Sequence, residues 1–259
     1  MIYTDWPMED YQRDPSISRS DICRVLISPA HYLVKPKRRS AAMVFGSAFH
    51  LATLQPDAYA RCVRVIPAGL RKGTRAYDAY CDLHPGATEE ISESDDAAIR
   101  GMRDSVLCHP VAGQWLRPAI ESRHVEESYI WDDQENGLAC KCRPDARCSN
   151  VIIDLKSAQD ARPKAFSRAV HSYGYHIQDV HYCLGAESVY GEPFAMRFIV
   201  VEKEPPYAVA IYDLDEEAVL VGARERKRGL ALIAACAETG CWPSYPQDVQ
   251  VVNLPAWAE

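Results

Sequence analysis

The chain has 259 residues and a mass of 29.0 kDa, enough for one large domain or two small ones. Hydrophobic residues at 47% and charged residues at 25% are ordinary globular composition and exclude a disordered or fibrous chain. With 29 Lys and Arg against 36 Asp and Glu the net charge is −7, so any nucleic-acid contact has to be a local patch on an acidic whole.

No apolar run approaches the roughly 18 residues that span a bilayer. Met1 to Pro7 has neither a basic n-region nor an apolar h-region, so a cytoplasmic protein with no membrane contact is expected. The ten cysteines form no C-x-x-C pair, which argues against a zinc ribbon and for free, mostly buried thiols. Cys140, Cys142 and Cys148 are the one candidate metal group among them, and their spacing is poor for it.

In chain order, residues 1–17 read as an irregular arm with Tyr3, Trp6 and Tyr11. Ser18 and Ser20 can cap a short helix through Ile27, and Pro29 suits the first turn of another over 29–34. Lys35-Pro36-Lys37-Arg38-Arg39 is a basic connection able to touch phosphate. Ser40 caps a helix from Ala41 to Leu54, where Gly46 and His50 share a face with Ser47 beside them. A glycine inside a helix costs about 1 kcal/mol relative to alanine, which suggests a close approach there. Arg71-Lys72-Gly73-Thr74-Arg75 leads into a helix within 71–83, and 92–116 is helical with a break at Pro110.

The period then changes. His124 to Trp131 alternates as a strand, Asp132 to Gly137 turns with an Asn-Gly hairpin signal, and Leu138 to Arg147 returns. Ser149-Asn150 turns again into a strand at Val151 to Ser157. Helices at 163–172 and 175–190, strands at 195–202 and 207–213, and a long helix at 214–239 complete an α/β fold with a mixed sheet flanked by helices. A single domain over 1–259 is expected: a mainly helical part over 1–120, a sheet-containing core over 121–240 and a tail over 241–259 that includes Trp242, Pro243 and Trp257.

On the strand at 151–157, Asp154 and Lys156 project to one face with Ile152, and Val151, Ile153 and Leu155 to the other. An acidic-x-Lys triplet arises about once by chance in such a composition, so its surroundings have to support it. The turn at Ser149-Asn150 folds Asp145 back toward Asp154. Two converging carboxylates repel unless a cation lies between them, and oxygen donors suit Mg²⁺ or Mn²⁺. Tyr175, Gln178 and Tyr182 fall on one helical face, either as a half-buried stripe or as support for water and a nucleic-acid backbone. His50 is either a core histidine or, beside two carboxylates, a metal ligand.

Five segments occur in order: Gly46-Ser47-Ala48-Phe49-His50, Glu126 to Trp131, Lys141-Cys142-Arg143-Pro144-Asp145, Asp154-Leu155-Lys156-Ser157, and Gln178-x-x-x-Tyr182. Together they resemble the PD-(D/E)XK nuclease superfamily, and within it the RecE-like, exodeoxyribonuclease VIII type of phages and prophages. Ser28-Pro29-Ala30-His31-Tyr32 and Arg71-Lys72-Gly73-Thr74 are also similar to that group's N-terminal region.

The resemblance implies a restriction-endonuclease-like core with an added α-helical N-terminal region. It implies metal-binding carboxylates at Asp145 and Asp154, a further ligand in the Leu155 carbonyl, and a second metal at His50. Lys156 would orient the attacking water, Gln178 and Tyr182 would support water and DNA, and Glu126 would fill the family's acidic position, with Glu127 the alternative. Strand alternation lets only one of that pair face the site. Ser47, Arg71, Lys72, Arg143 and Tyr175 are the DNA-binding candidates. Mg²⁺ is the expected cofactor, with Mn²⁺ able to substitute. No iron–sulfur cluster is expected, because only Cys236 and Cys241 are late cysteines.

The expected activity is a processive 5′-to-3′ exonuclease on double-stranded DNA ends in phage-type recombination. A homo-oligomeric ring and a single-strand annealing protein are its implied partners. An endonuclease of the same superfamily and a non-catalytic DNA-end-binding protein are the alternatives.

Overall fold

The computed structural model describes residues 1–34 and 39–254; Lys35 to Arg38 of the basic connection, and Trp257, lie outside them. The elements run β1 (Ile2–Tyr3), α1 (Met8–Arg13), α2 (Arg19–Ile27), α3 (Pro29–Tyr32), α4 (Ala41–Leu54), α5 (Pro56–Cys62) and β2 (Val63–Ile66). Next come α6 (Arg75–Asp82), β3 (Glu89–Ser92), α7 (Glu93–Cys108), α8 (Ala112–Glu121), β4 (Ser128–Asp132), β5 (Ala139–Cys142), β6 (Ala146–Cys148) and β7 (Val151–Ala158). The chain continues through α9 (Pro163–Tyr173), α10 (Tyr175–Tyr190), β8 (Ala195–Glu202), β9 (Val209–Tyr212) and α11 (Glu216–Thr239).

The central sheet has the order β6-β7-β8-β9. β7 and β8 are parallel and the outer pairings antiparallel, so the sheet is mixed as the element order implies. Both of its faces are buried. Ile152, Phe198 and Val200 pack with Phe166, Ile177, Leu230 and Ile22, from α9, α10, α11 and α2. Ile153, Leu155, Ile199 and Val201 pack with Phe49, Ile99, Met102 and Leu116, from α4, α7 and α8. Strand alternation alone sorts these side chains into two layers, and each fully buried one contributes about 1.5–3 kcal/mol.

The helix starts are built locally. Ser18 and Asp21 form a reciprocal capping box at α2, and Ser40 accepts from the Met43 N–H at α4. Gly174, at φ 68°, ends α9 and turns directly into α10, a conformation that costs glycine nothing.

Several expectations are corrected. The arm is not irregular: β1 pairs antiparallel with β4, and α1 follows. The parallel pair β2–β3 and the helix α5 form where no element was expected. The first hairpin strand begins at Ser128 rather than His124, because Arg123 and Glu126 take φ values of 57° and 53°.

The return strand is not continuous. It breaks at Arg143-Pro144-Asp145, so β5 pairs with β4 while β6 joins the central sheet. Pro144 has no N–H to continue a ladder, and the Asp145 carbonyl accepts instead from the Glu126 N–H at 3.0 Å. That change of sheet brings Asp145 and Glu126 beside the strand carrying Asp154.

Candidate metal centre and catalytic site

Asp154 stands on β7 and is 2% exposed. Its Oδ1 accepts from Gln178 Nε2 of α10, and its Oδ2 lies 2.5 Å from Lys156 Nζ. That contact is an ion pair without hydrogen-bond geometry, and Oδ2 is otherwise a buried oxygen with no hydrogen-bond partner. The Lys156 ammonium also donates to Gln178 Oε1 at 3.3 Å and lies 4.4 Å above the Tyr175 ring. Burial and the Asp145 charge hold the Asp154 carboxyl above its ordinary range, against the pull of Lys156.

The second half of the site lies across the strand. Asp145 accepts the Leu155 N–H at 2.6 Å and faces His50 Nδ1 of α4 at 3.1 Å. His50 Nε2 is 3.1 Å from the Leu155 carbonyl. Burial opposes charge on this imidazole, but the Asp145 carboxylate and its hydrogen bond prevail and lift it to about 9. Burial also opposes ionisation of Asp145, yet His50, Lys156 and the Leu155 N–H bring its carboxyl below the usual range. Glu126 has the opposite fate: burial and the Asp145 charge push it up to about 7.

His50, Glu126 and Asp145 each offer a ligand atom within 4.8 Å of the others. The donors are carboxylates and one imidazole, next to a backbone carbonyl. This set fits a divalent cation such as Mg²⁺ or Mn²⁺, and the raised Glu126, together with an Asp154 oxygen that has an ion pair but no hydrogen bond, marks acceptor capacity left over. The Asp154 carboxylate is not in that three-residue group; it is turned to Lys156 and Gln178.

Glu127 faces elsewhere. Its carboxylate is held by His124, Tyr129, Tyr190 and Arg147, so of the two glutamates Glu126 is the one beside Asp145. Cys140 and Cys142 pack in the layer on the Ile152 face and Cys148 against the opposite layer, so they do not converge. Burial raises the Cys140 thiol to about 12 and the Cys142 thiol well above its ordinary value, which keeps both protonated.

The other candidates separate by position. Tyr182 is half-buried, and burial first, then Tyr11, raises its hydroxyl well above the usual value. Ser47 is half-buried on the His50 helix, and outside that helix nothing described lies within 4 Å of where a Gly46 Cβ would stand. The close approach expected at Gly46 is therefore not made by the described chain. Arg71 is exposed, while Lys72 pairs with Glu90 of β3 at 2.9 Å, away from the central sheet. Arg39, the described end of the basic connection, pairs with Glu89.

Arg143 donates to Ser128 Oγ at 2.6 Å and to the Trp6 carbonyl at 2.9 Å, and lies 4.4 Å over the Tyr11 ring. It holds the N-terminal arm in this structure. Sequence reading missed Arg19. It reaches Gln178 Oε1 at 3.4 Å and the Tyr173 carbonyl at 3.0 Å, and no motif spacing marks it.

An Asp154–Lys156 pair in the middle of β7 and an acidic–histidine cluster beside it thus lie together on a mixed α/β fold. Residues 18–255 match the family model of the PDDEXK-like domain of unknown function, DUF3799, and the chain belongs to that family. No curated protein matches it in sequence. Among solved structures, a protein of Eubacterium rectale named as a candidate exonuclease superposes with a TM-score of 0.63 at 11% identity, covering 98% of this chain and 96% of its own. A phage-related exonuclease of Haemophilus somnus 129PT aligns with a TM-score of 0.33 at 11% identity, over 90% of this chain and 100% of its own. The first likeness supports the shared fold.

Proposed function

We propose that the chain is a Mg²⁺-dependent deoxyribonuclease, a processive 5′-to-3′ exonuclease on double-stranded DNA ends in phage-type recombination. The observation that carries this reading is the convergence of His50, Glu126 and Asp145 beside β7 with Asp154 and Lys156 on that strand. The names of the structural neighbours agree with it.

Asp145, Asp154, Glu126, His50 and the Leu155 carbonyl hold the divalent ion or ions. When bound, such ions activate water and neutralise charge at the phosphate. Lys156 supplies a fixed ammonium beside Asp154 on β7 and stabilises developing hydroxide. Gln178 holds Asp154 in place, and Tyr175 backs Lys156. Tyr182, Ser47 and the exposed Arg71 contribute to the DNA path.

The decisive experiment incubates the protein with linear and covalently closed duplex, with and without Mg²⁺. Degradation of the linear form alone, only with Mg²⁺, is expected. Undiminished cleavage in excess EDTA overturns the reading, and efficient cutting of closed circles turns it to an endonuclease.

The net charge of −7 leaves a single copy little sequence-independent hold on DNA. Processive digestion then calls for a closed ring of copies around the duplex, which light scattering tests, and recombination calls for a single-strand annealing partner.

A further inference from the structure

We propose that Arg19 is a positioning residue that locks the side-chain amide of Gln178 and, through it, the Asp154 carboxylate. The inference rests on the nuclease reading for its consequence, but its geometry stands alone. Gln178 is 2% exposed, so its amide has no water to satisfy it. The carboxylate of Asp154 can only accept, and it takes the Gln178 NH₂ on Oδ1. Arg19 and Lys156 can only donate, and both face Gln178 Oε1, at 3.4 and 3.3 Å. A flipped amide would set acceptor against acceptor at Asp154 and donor against donor at the other end. The two cations therefore fix which way the amide points.

Of the two, Arg19 is the one whose place is set by the scaffold. The capping box of Ser18 and Asp21 fixes the start of α2. Its other terminal nitrogen is tied to the Tyr173 carbonyl at the end of α9, a backbone acceptor that a cation suits. Lys156 is also committed to Asp154 and to the chemistry, so Arg19 is the donor to Gln178 Oε1 that the proposed chemistry does not use. The buried Nε of Arg19 has no hydrogen-bond partner, so the guanidinium is held here at a cost that local stability alone does not explain.

The experiment uses the full chain as wild type, Arg19→Met, Arg19→Ala, Gln178→Ala and the Arg19→Met/Gln178→Ala double variant. Folding is checked by circular dichroism, and Arg19→Met keeps the apolar stem should the alanine variant fail to fold. Without metal, the Gln178 NH₂ pair, assigned by its loss in Gln178→Ala, is expected as dispersed, slowly exchanging NMR signals that collapse to the free-amide position in Arg19→Met. Mn²⁺ affinity, read by electron paramagnetic resonance, is expected to fall about tenfold in Arg19→Met and less than twofold more when Gln178 is already alanine.

An unchanged Gln178 pair overturns the proposal. So does an equal Arg19→Met loss in both backgrounds, which places Arg19 on the ion directly. A wild type that binds no Mn²⁺ refutes the metal reading instead, and the amide signals still decide the lock.

Discussion

His50 and Asp145 close a ring with the strand between them: the imidazole touches the Asp145 carboxylate with one nitrogen and the Leu155 carbonyl with the other, each at 3.1 Å, while Asp145 accepts the Leu155 N–H. Carrying both protons, the imidazole sets positive charge against both oxygens. In the metal-free protein a proton thus supplies positive charge where a cation is proposed to bind.

That relationship sets a pH dependence. His50 rises from 6.5 to about 9, so its contribution to stability is complete below pH 6.5 and is lost as pH climbs toward 9. Glu126, raised from 4.5 to about 7, likewise favours the fold in its protonated form, and that contribution is lost between those values. Metal-free protein is therefore expected to lose melting temperature from pH 4.5 to 9, and the gain from added Mn²⁺ to grow over the upper part of that range. Scanning fluorimetry checks both. His50→Gln should flatten the loss above pH 6.5, and Glu126→Gln the loss below 7.

Asp154→Asn and Lys156→Ala are each expected to reduce cleavage at least about 100-fold, with circular dichroism unchanged. Substantial activity in either purified variant would place the chemistry elsewhere. His50→Ala should be milder at saturating Mg²⁺, since water can replace one neutral ligand.

Gly46→Ala separates stability from substrate approach. With nothing outside its helix within 4 Å of the new methyl, the variant should gain about 1 kcal/mol, or roughly 2–4 °C in melting temperature. If DNA passes over this face of α4, KM for linear duplex rises in the same variant. A stabilised protein with unaltered kinetics would remove α4 from the DNA path.

Arg143→Ala is expected to act on the arm. Losing the donors to Ser128 and Trp6 should free residues 1–14 for limited proteolysis at a protease dose that leaves the wild type intact. An arm that stays protected, together with a rise in KM, would return Arg143 to the DNA.

The periodic parts of the fold were legible because burial imposes them. The alternation of Val151 to Ser157 and the capping serines of α2 and α4 encode their own environment. The return strand misled because Leu138 to Arg147 is one unbroken pattern, while Pro144 divides it between two sheets. β2 and β3 are four residues each and pair in parallel across intervening segments, so neither turn nor length announces them. Asp154, Lys156 and Gln178 could be placed from strand and helix periods. Glu126 was preferred to Glu127 from the resemblance, whereas the contacts that turn Glu127 to His124, Tyr129 and Arg147, and the reach of Arg19 to Gln178, depend on the tertiary approach of separate elements.

Among the described residues, the two hydrophobic layers on either face of the central sheet share no helix, and the site draws on both. His50 comes with the layer packed on Leu155, and Gln178 with the layer packed on Ile152. A cation gripping His50, Asp145 and Asp154 would therefore be a rivet through the sheet, joining helices packed on its opposite sides. Chelation would then uncouple the layers, and the first sign would be faster amide exchange in α4 relative to α10, before any loss of overall helix content.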